Sequence, residues 1–265
     1  MVSLTYSNPS TEQLDPFGTV GASTYDDDAA RMPTRYKRAH TIQNELVVNA
    51  LRSNKALLGK KVVVDLGAGT SNDGLEILSR SPQAFYLGID YSQPMVARAE
   101  EKMRLHGYAQ RSAFLQCDFL TARLGDIMHE LAETQMNNHV PVVISALALH
   151  HYELVEKHNA YKLAYDLLSP GGLFILTDLF TNGITGCANY AFQTEISDIN
   201  VAVRKCGENA TDDQQATTLS IEHYNSNKPQ KLAHEMRGLR ECGFDCIDVA
   251  YRDGQLATLV AEKTK

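Results

Sequence analysis

Asp65, Asp90 and Asp118 each stand at the end of a short apolar run: VVVD at 62–65, AFYLGID at 84–90 and SAFLQCD at 112–118. Gly67-Ala68-Gly69 follows the first of them, and two glycines so placed let backbone pass close to a ligand with no Cβ in the way. An acid about 20 residues beyond such a turn is positioned to accept hydrogen bonds from both hydroxyls of a ribose. Asp90 fits that role, and Ser92 already supplies the cap that the following helix needs. A dinucleotide requires a third glycine opening directly into a helix, so that its pyrophosphate can lie on the helix N-terminus. Asn72 occupies that place here. Asp65 is equally unhelpful to a pyrophosphate, and suits a nucleoside bearing an ammonium group.

The elements that must hold these residues alternate. Helical spacing runs from Tyr25 to Leu58, with Ile42, Leu46, Val47, Ala50 and Leu51 facing a core. Strands are predicted over 62–66, 84–90, 112–119, 141–149 and 172–179. Helices are predicted between them, over 73–80, from Ser92 to Gly107 with Met95, Ala99 and Met103 stacked, and over 153–168 with Val155 and Leu163 inward. Such alternation implies a parallel sheet with helices on both faces. A further helix ends at Gly243, and strands over 244–251 and 255–262 are joined through Arg252-Asp253-Gly254 as an antiparallel hairpin. The fold expected is α/β and Rossmann-like, a seven-stranded, mostly parallel sheet ending in that hairpin, with a helical cap and lid. The boundaries expected are 1–55 for an N-terminal arm and cap, 56–180 for the α/β core, 181–230 for a lid insertion and 231–265 for the helix and hairpin that complete the core.

DLGAGTSNDG, GIDYS, QCDFL, ISALALHHY and LSPGGLFILTD, in this order and spacing, resemble the motif series of class I S-adenosylmethionine (SAM)-dependent methyltransferases over about residues 40–180. The resemblance implies that Gly67, Ala68 and Gly69 pass under the methionine part of SAM, with Asp65 holding its ammonium group. It implies Asp90 on the ribose, Tyr91 and Phe119 beside the adenine with Met95 in the same slot, Asp118 on the adenine amino group, and backbone near Ser145 and Ala146 at the methionine end. The segment TYDDDAARMPTRYKRAH resembles the cap of small-molecule members, which places Tyr25, and Arg35 among the nearby Arg31 and Tyr36, over the sulfonium and the methionine carboxylate. Departures are Ser71 where glycine is common, Val140-Pro141 opening the fourth strand, and no Asn-Pro-Pro-Tyr motif after it.

Methyl transfer from a sulfonium needs alignment, a dry site and a base where the acceptor carries a proton. His150 and His151 follow the fourth strand, and His223 ends the lid, so these and Tyr25 are the candidate catalytic residues. His40, His106, His129, His139, His158 and His234 read as surface residues. Two other reactions run on the same fold, carboxy-SAM formation and cyclisation of SAM's aminobutyl chain, and YDDDAARMP is similar to caps of that neighbourhood. A net charge of -7 argues against non-specific nucleic-acid binding. No apolar stretch is long enough to cross a bilayer, and the five cysteines form no CxxC pair. A cytoplasmic enzyme with a small-molecule substrate, compatible with an oligomer and without a metal, is the expectation.

Overall fold

The computed structural model describes residues 25–26, 33–53, 61–133, 139–181, several positions between 183 and 197, and 227–265. Valine-rich and aromatic runs form β1 (Lys61–Leu66), β2 (Ala84–Asp90), β3 (Ser112–Gln116), β4 (Val142–Ala146) and β5 (Gly172–Leu179). The C-terminal strands are β6 (Cys246–Asp253) and β7 (Leu256–Lys263). They make one seven-stranded sheet in the order β3-β2-β1-β4-β5-β7-β6. The first five pair in parallel, β7 runs antiparallel to β5, and β6 antiparallel to β7. Strand order reverses between β1 and β4, so ligand chemistry is expected outside their carboxyl ends.

The helices are α1 (Thr34–Ser53), α2 (Asn72–Arg80), α3 (Gln93–Leu105), α4 (Leu124–Glu133), α5 (Leu154–Leu167) and α6 (Leu232–Glu241). Side chains on successive strand residues point to opposite faces, and the two cores follow that alternation. Val62, Val64 and Leu66 pack with α4, α5 and α6, whereas Val63 packs with Val47 and Leu51 of α1, Ile77 and Leu78 of α2 and Met103 of α3. Each such buried aliphatic side chain contributes about 1.5–3 kcal/mol. Local signals set the ends. The Ser92 hydroxyl accepts from the Met95 amide at the start of α3, and Glu153 and Glu156 form a capping box on α5.

Several expectations change in detail. α1 begins just after Pro33, which fits the first turn of a helix because it has no amide hydrogen to satisfy. Its buried residues are Arg35, Tyr36, Ala39, Gln43, Asn44, Val47, Val48 and Leu51, so Ile42, Leu46 and Ala50 lie at the margin of its inward face. β3 ends at Gln116, three residues earlier than expected, and the Cys117 amide still donates to the Asp90 carbonyl as the last ladder bond to β2. β4 stops at Ala146 because Leu147 takes a positive φ of 52°. Val155 is 80% exposed rather than core. α4, which is not among the expected helices, carries Ile127 and Leu131 inward at four-residue spacing. The hairpin turns at Gly254-Gln255, with Asp253 still paired to Leu256. Cys242 caps α6 and Cys246 opens β6, and neither is bridged. Most of 181–230, the expected lid, and most of 1–32 lie outside the described residues.

Candidate active site at the carboxyl edge of the sheet

The turn after β1 is backbone-driven. Gly67 (φ 80°) and Gly69 (φ 51°) adopt conformations that glycine takes freely. A Cβ on Gly67 would sit 2.5 Å from the Ala148 Cβ, so the loop after β4 closes directly onto this turn. Ser71 keeps the left-handed backbone (φ 59°, ψ 43°) that a glycine would hold there, so the substitution leaves the turn's path intact. Asp90 braces the turn from the side. Its carboxylate accepts from the Gly69 amide at 2.8 Å and the Ser92 amide at 2.9 Å. Asp90 is therefore both a candidate ribose acceptor and part of the scaffold that shapes the glycine loop.

Asp65 lies beneath the turn and is only 3% exposed. One carboxylate oxygen accepts from the Tyr86 hydroxyl at 2.5 Å. The other, Oδ1, is buried with no hydrogen-bond partner among the described residues. Burial pushes this carboxyl up to about 8, against the Tyr86 hydrogen bond that lowers it. A buried acceptor left unsatisfied is costly unless a ligand completes it. Asp65 lines a cavity of about 390 Å³ together with Gly67, Ala68, Ala146 and Tyr25. An ammonium group entering that cavity would give Oδ1 its missing donor, so the residues present fit the amino-acid end of SAM.

Tyr25 and Asp26 cover the turn. The Tyr25 ring lies 4.0 Å from where a Gly69 Cβ would be. Its phenol is pushed up to about 12, by burial first and then by the carboxylates of Asp73, Asp90, Asp26 and Asp65. A phenol held that high keeps its hydrogen near neutral pH and can donate it in a hydrogen bond. Asp26 accepts from the Thr70 hydroxyl at 2.6 Å, from Lys102 of α3 at 2.7 Å and from Arg98 at 3.2 Å. Burial alone would raise its carboxyl, but Lys102 and Thr70 hold it below the usual range.

The remaining predicted residues spread along the same sheet edge. Tyr91 is half-buried after β2, Asp118 is exposed after β3 with its carboxylate accepting from the Leu120 amide, and Phe119 is buried against Tyr152. Met95 is core, 2% exposed. Arg35 is buried on α1 with its guanidinium 5.1 Å from the Tyr36 ring, and it is not among the residues lining the cavity. His150 is buried with Nδ1 against Asp178 of β5 at 2.5 Å, and it does not line the cavity either. Burial would raise the Asp178 carboxyl, but the imidazole holds it low. His151 is half-buried beside the His150 ring at 4.1 Å. His223 lies outside the described residues.

One histidine read as a surface residue is part of the site. His40 lines the cavity, and its Nδ1 meets both oxygens of Asp73 at 3.0 and 2.8 Å. Lys37, Thr41 and Glu76 line the same wall. His40, Gln43, Asn44 and Val47 recur at helical spacing, and a polar stretch within an otherwise apolar buried stripe is the signal that marks it.

A Rossmann-like sheet with a glycine turn after β1, acids closing β1 and β2 and a covered cavity defines a nucleoside-dependent transferase. Residues 58–235 match the family described as Methyltransferase domain, which spans over half of the chain. The chain belongs to that family and is a SAM-dependent enzyme. It is similar to the carboxy-S-adenosyl-L-methionine synthase of a Nitratiruptor species, 26% identical over 92% of this chain and 91% of that protein. The same-named protein of Nautilia profundicola is 22% identical over 97% and 98%. Among solved structures, the CurJ carbon methyltransferase superposes with a TM-score of 0.64 at 15% identity, over 95% of this chain and 62% of that one. That likeness is one of fold, and this chain spans under two-thirds of that structure's length.

Proposed function

We propose that this protein transfers the methyl group of SAM to a small organic acceptor enclosed above the glycine turn, in the cytoplasm, with residues 1–55 as cap and 181–230 as lid. The observation that carries this reading is the roofed cavity, in which Tyr25 and Asp26 are clamped over Gly69 and Thr70. A space of about 390 Å³ under such a cover suits a small molecule better than a nucleic-acid duplex or a folded protein surface. The negative net charge also disfavours a polyanionic substrate.

SAM, when bound, supplies a methyl carbon already activated by its sulfonium. The chain's own residues bind, orient and exclude water. Asp65 receives the ammonium group, the Gly67–Gly69 backbone gives close approach, Asp90 accepts from the ribose hydroxyls, and the Tyr25 phenol covers the site as a donor. Alignment in a water-excluded pocket is the larger part of what such a displacement requires. Nδ1 of His150 is committed to Asp178, so its role is to fix the loop after β4 rather than to take a proton through that nitrogen.

A second reading is carboxy-SAM formation, favoured by likeness to two carboxy-SAM synthases along nearly the whole chain. The experiment is incubation with SAM alone and with SAM plus a small-molecule extract, with products identified by mass spectrometry. Extract-dependent S-adenosylhomocysteine is expected. Carboxy-SAM would transfer the assignment to the second reading, and methylthioadenosine would overturn both in favour of attack within the aminobutyl chain.

A further inference from the structure

An amino-acid group is a zwitterion, and a site that holds its ammonium must also meet its carboxylate. Asp65 provides for the first. Arg35, the sequence candidate for the second, does not line the cavity. From the placement of His40 on the cavity wall, with Nδ1 held by Asp73, we propose that His40 receives the methionine carboxylate of SAM through Nε2, and that Asp73 is the positioning residue that orients its ring. This rests on the reading of the cavity as the amino-acid end of a SAM site.

The geometry separates the two residues' tasks. Asp73 has both oxygens engaged: Oδ1 by His40 and by Asn44 at 2.9 Å, Oδ2 by His40 and by Gln43 at 3.3 Å. Gln43 and Asn44 are fully buried, so the carboxylate is held rigidly and has little left to offer a ligand. Because that carboxylate faces Nδ1, Nδ1 carries the hydrogen, and Nε2 is the atom left for the cavity. Nε2 has no hydrogen-bond partner among the described residues. The Asp73 charge raises the imidazole above its ordinary value, with burial opposing, which shifts the ring toward its doubly protonated form, in which Nε2 is a charged donor. A charged donor to a carboxylate is about twice as strong as a neutral pair. A neutral His40 would instead present a lone pair, the arrangement of a general base, and the test separates the two.

Ligand truncation decides it. Dissociation constants are measured by calorimetry for SAM, decarboxylated SAM and methylthioadenosine, which lack respectively nothing, the carboxylate and the whole amino-acid group. In the natural protein SAM should bind about 10-fold or more tighter than decarboxylated SAM, as for one charged hydrogen bond. In His40→Ala that ratio should fall toward one while methylthioadenosine binding stays unchanged, which also shows the nucleoside site intact. His40→Gln, which keeps a donor toward Asp73 without the charge, serves the same purpose if the alanine variant does not fold. An unchanged ratio in the variant overturns the assignment, as does unchanged SAM affinity with lost turnover, the signature of a base. If the natural protein binds none of the three ligands, the SAM reading of the cavity fails along with the inference.

Discussion

At the scale of single residues, Asp65 is the most consequential group. Its carboxyl, raised to about 8 by burial, is largely protonated at neutral pH in the ligand-free protein. A ligand ammonium requires it ionised, so binding below pH 8 should release a proton. SAM affinity is then expected to climb by up to about tenfold per pH unit between roughly pH 6 and 7.5. Calorimetry in buffers of different ionisation enthalpy measures that proton, and Asp65→Asn should abolish both the release and the slope. A slope that survives the substitution would remove Asp65 from the ammonium. Asp65 and Asp90 were readable in the sequence because each ends a strand beside a glycine turn or a cap. His40 showed only as a polar position on the inward stripe of α1, since its defining partner Asp73 lies 33 positions away on another helix. Periodicity reports which face of a helix is inward, and it says nothing of the polar group waiting there.

At the scale of elements, α5 and α6 are fastened by a buried polar staple. Lys157 donates to Glu235 at 2.6 Å and the Tyr161 hydroxyl donates to the other carboxylate oxygen. Lys157 is 1% exposed and Glu235 not at all. Removing one partner strands the other charge in an apolar layer, so Glu235→Gln should cost about 3–5 kcal/mol, measured by urea denaturation. The double variant Lys157→Met/Glu235→Leu should recover most of that loss; if the single change costs nothing, the pair is not a staple. All seven strands were legible as elements, because apolar runs bounded by Gly, Pro and Asp are strong local signals. The strand ends were less so. β3 and β4 stop earlier than expected, β4 where Leu147 takes a left-handed backbone. α4 has the right spacing, but its Gly125 lies inside the first turn, where a glycine marks no helix end.

At the scale of the whole molecule, stability should depend on pH in a way the buried acids set. Asp73 and Asp178 lie below their ordinary range: burial would raise them, and the facing imidazoles prevail. Their contribution is present above about pH 3.9 and is lost as pH falls through the folded values. His40 is raised by Asp73, so its contribution is complete below about pH 6.5 and is lost as pH rises. Asp65 adds to that alkaline loss, since a raised acid opposes folding increasingly from about pH 4 to about 8. Urea midpoints of the ligand-free protein should therefore peak at about pH 4, where the contributions of Asp73 and Asp178 are complete and the Asp65 penalty begins, and decline on both sides. Asp65→Asn should flatten the alkaline arm, and an unchanged arm would show that Asp65 is not buried as charged chemistry requires.

The contacts of Asp26 have a kinetic consequence. Its carboxylate ties the cover to Thr70 in the glycine turn and to Arg98 and Lys102 on α3, so a ligand beneath Tyr25 leaves only after those bonds part. Residence time, more than the rate of entry, should then be set at this one carboxylate. Asp26→Ala should speed SAM dissociation several-fold in stopped-flow measurements, in line with about 0.2–1 kcal/mol for each half-exposed ion pair. Raised ionic strength should hasten escape from the natural protein and leave the variant nearly indifferent to salt.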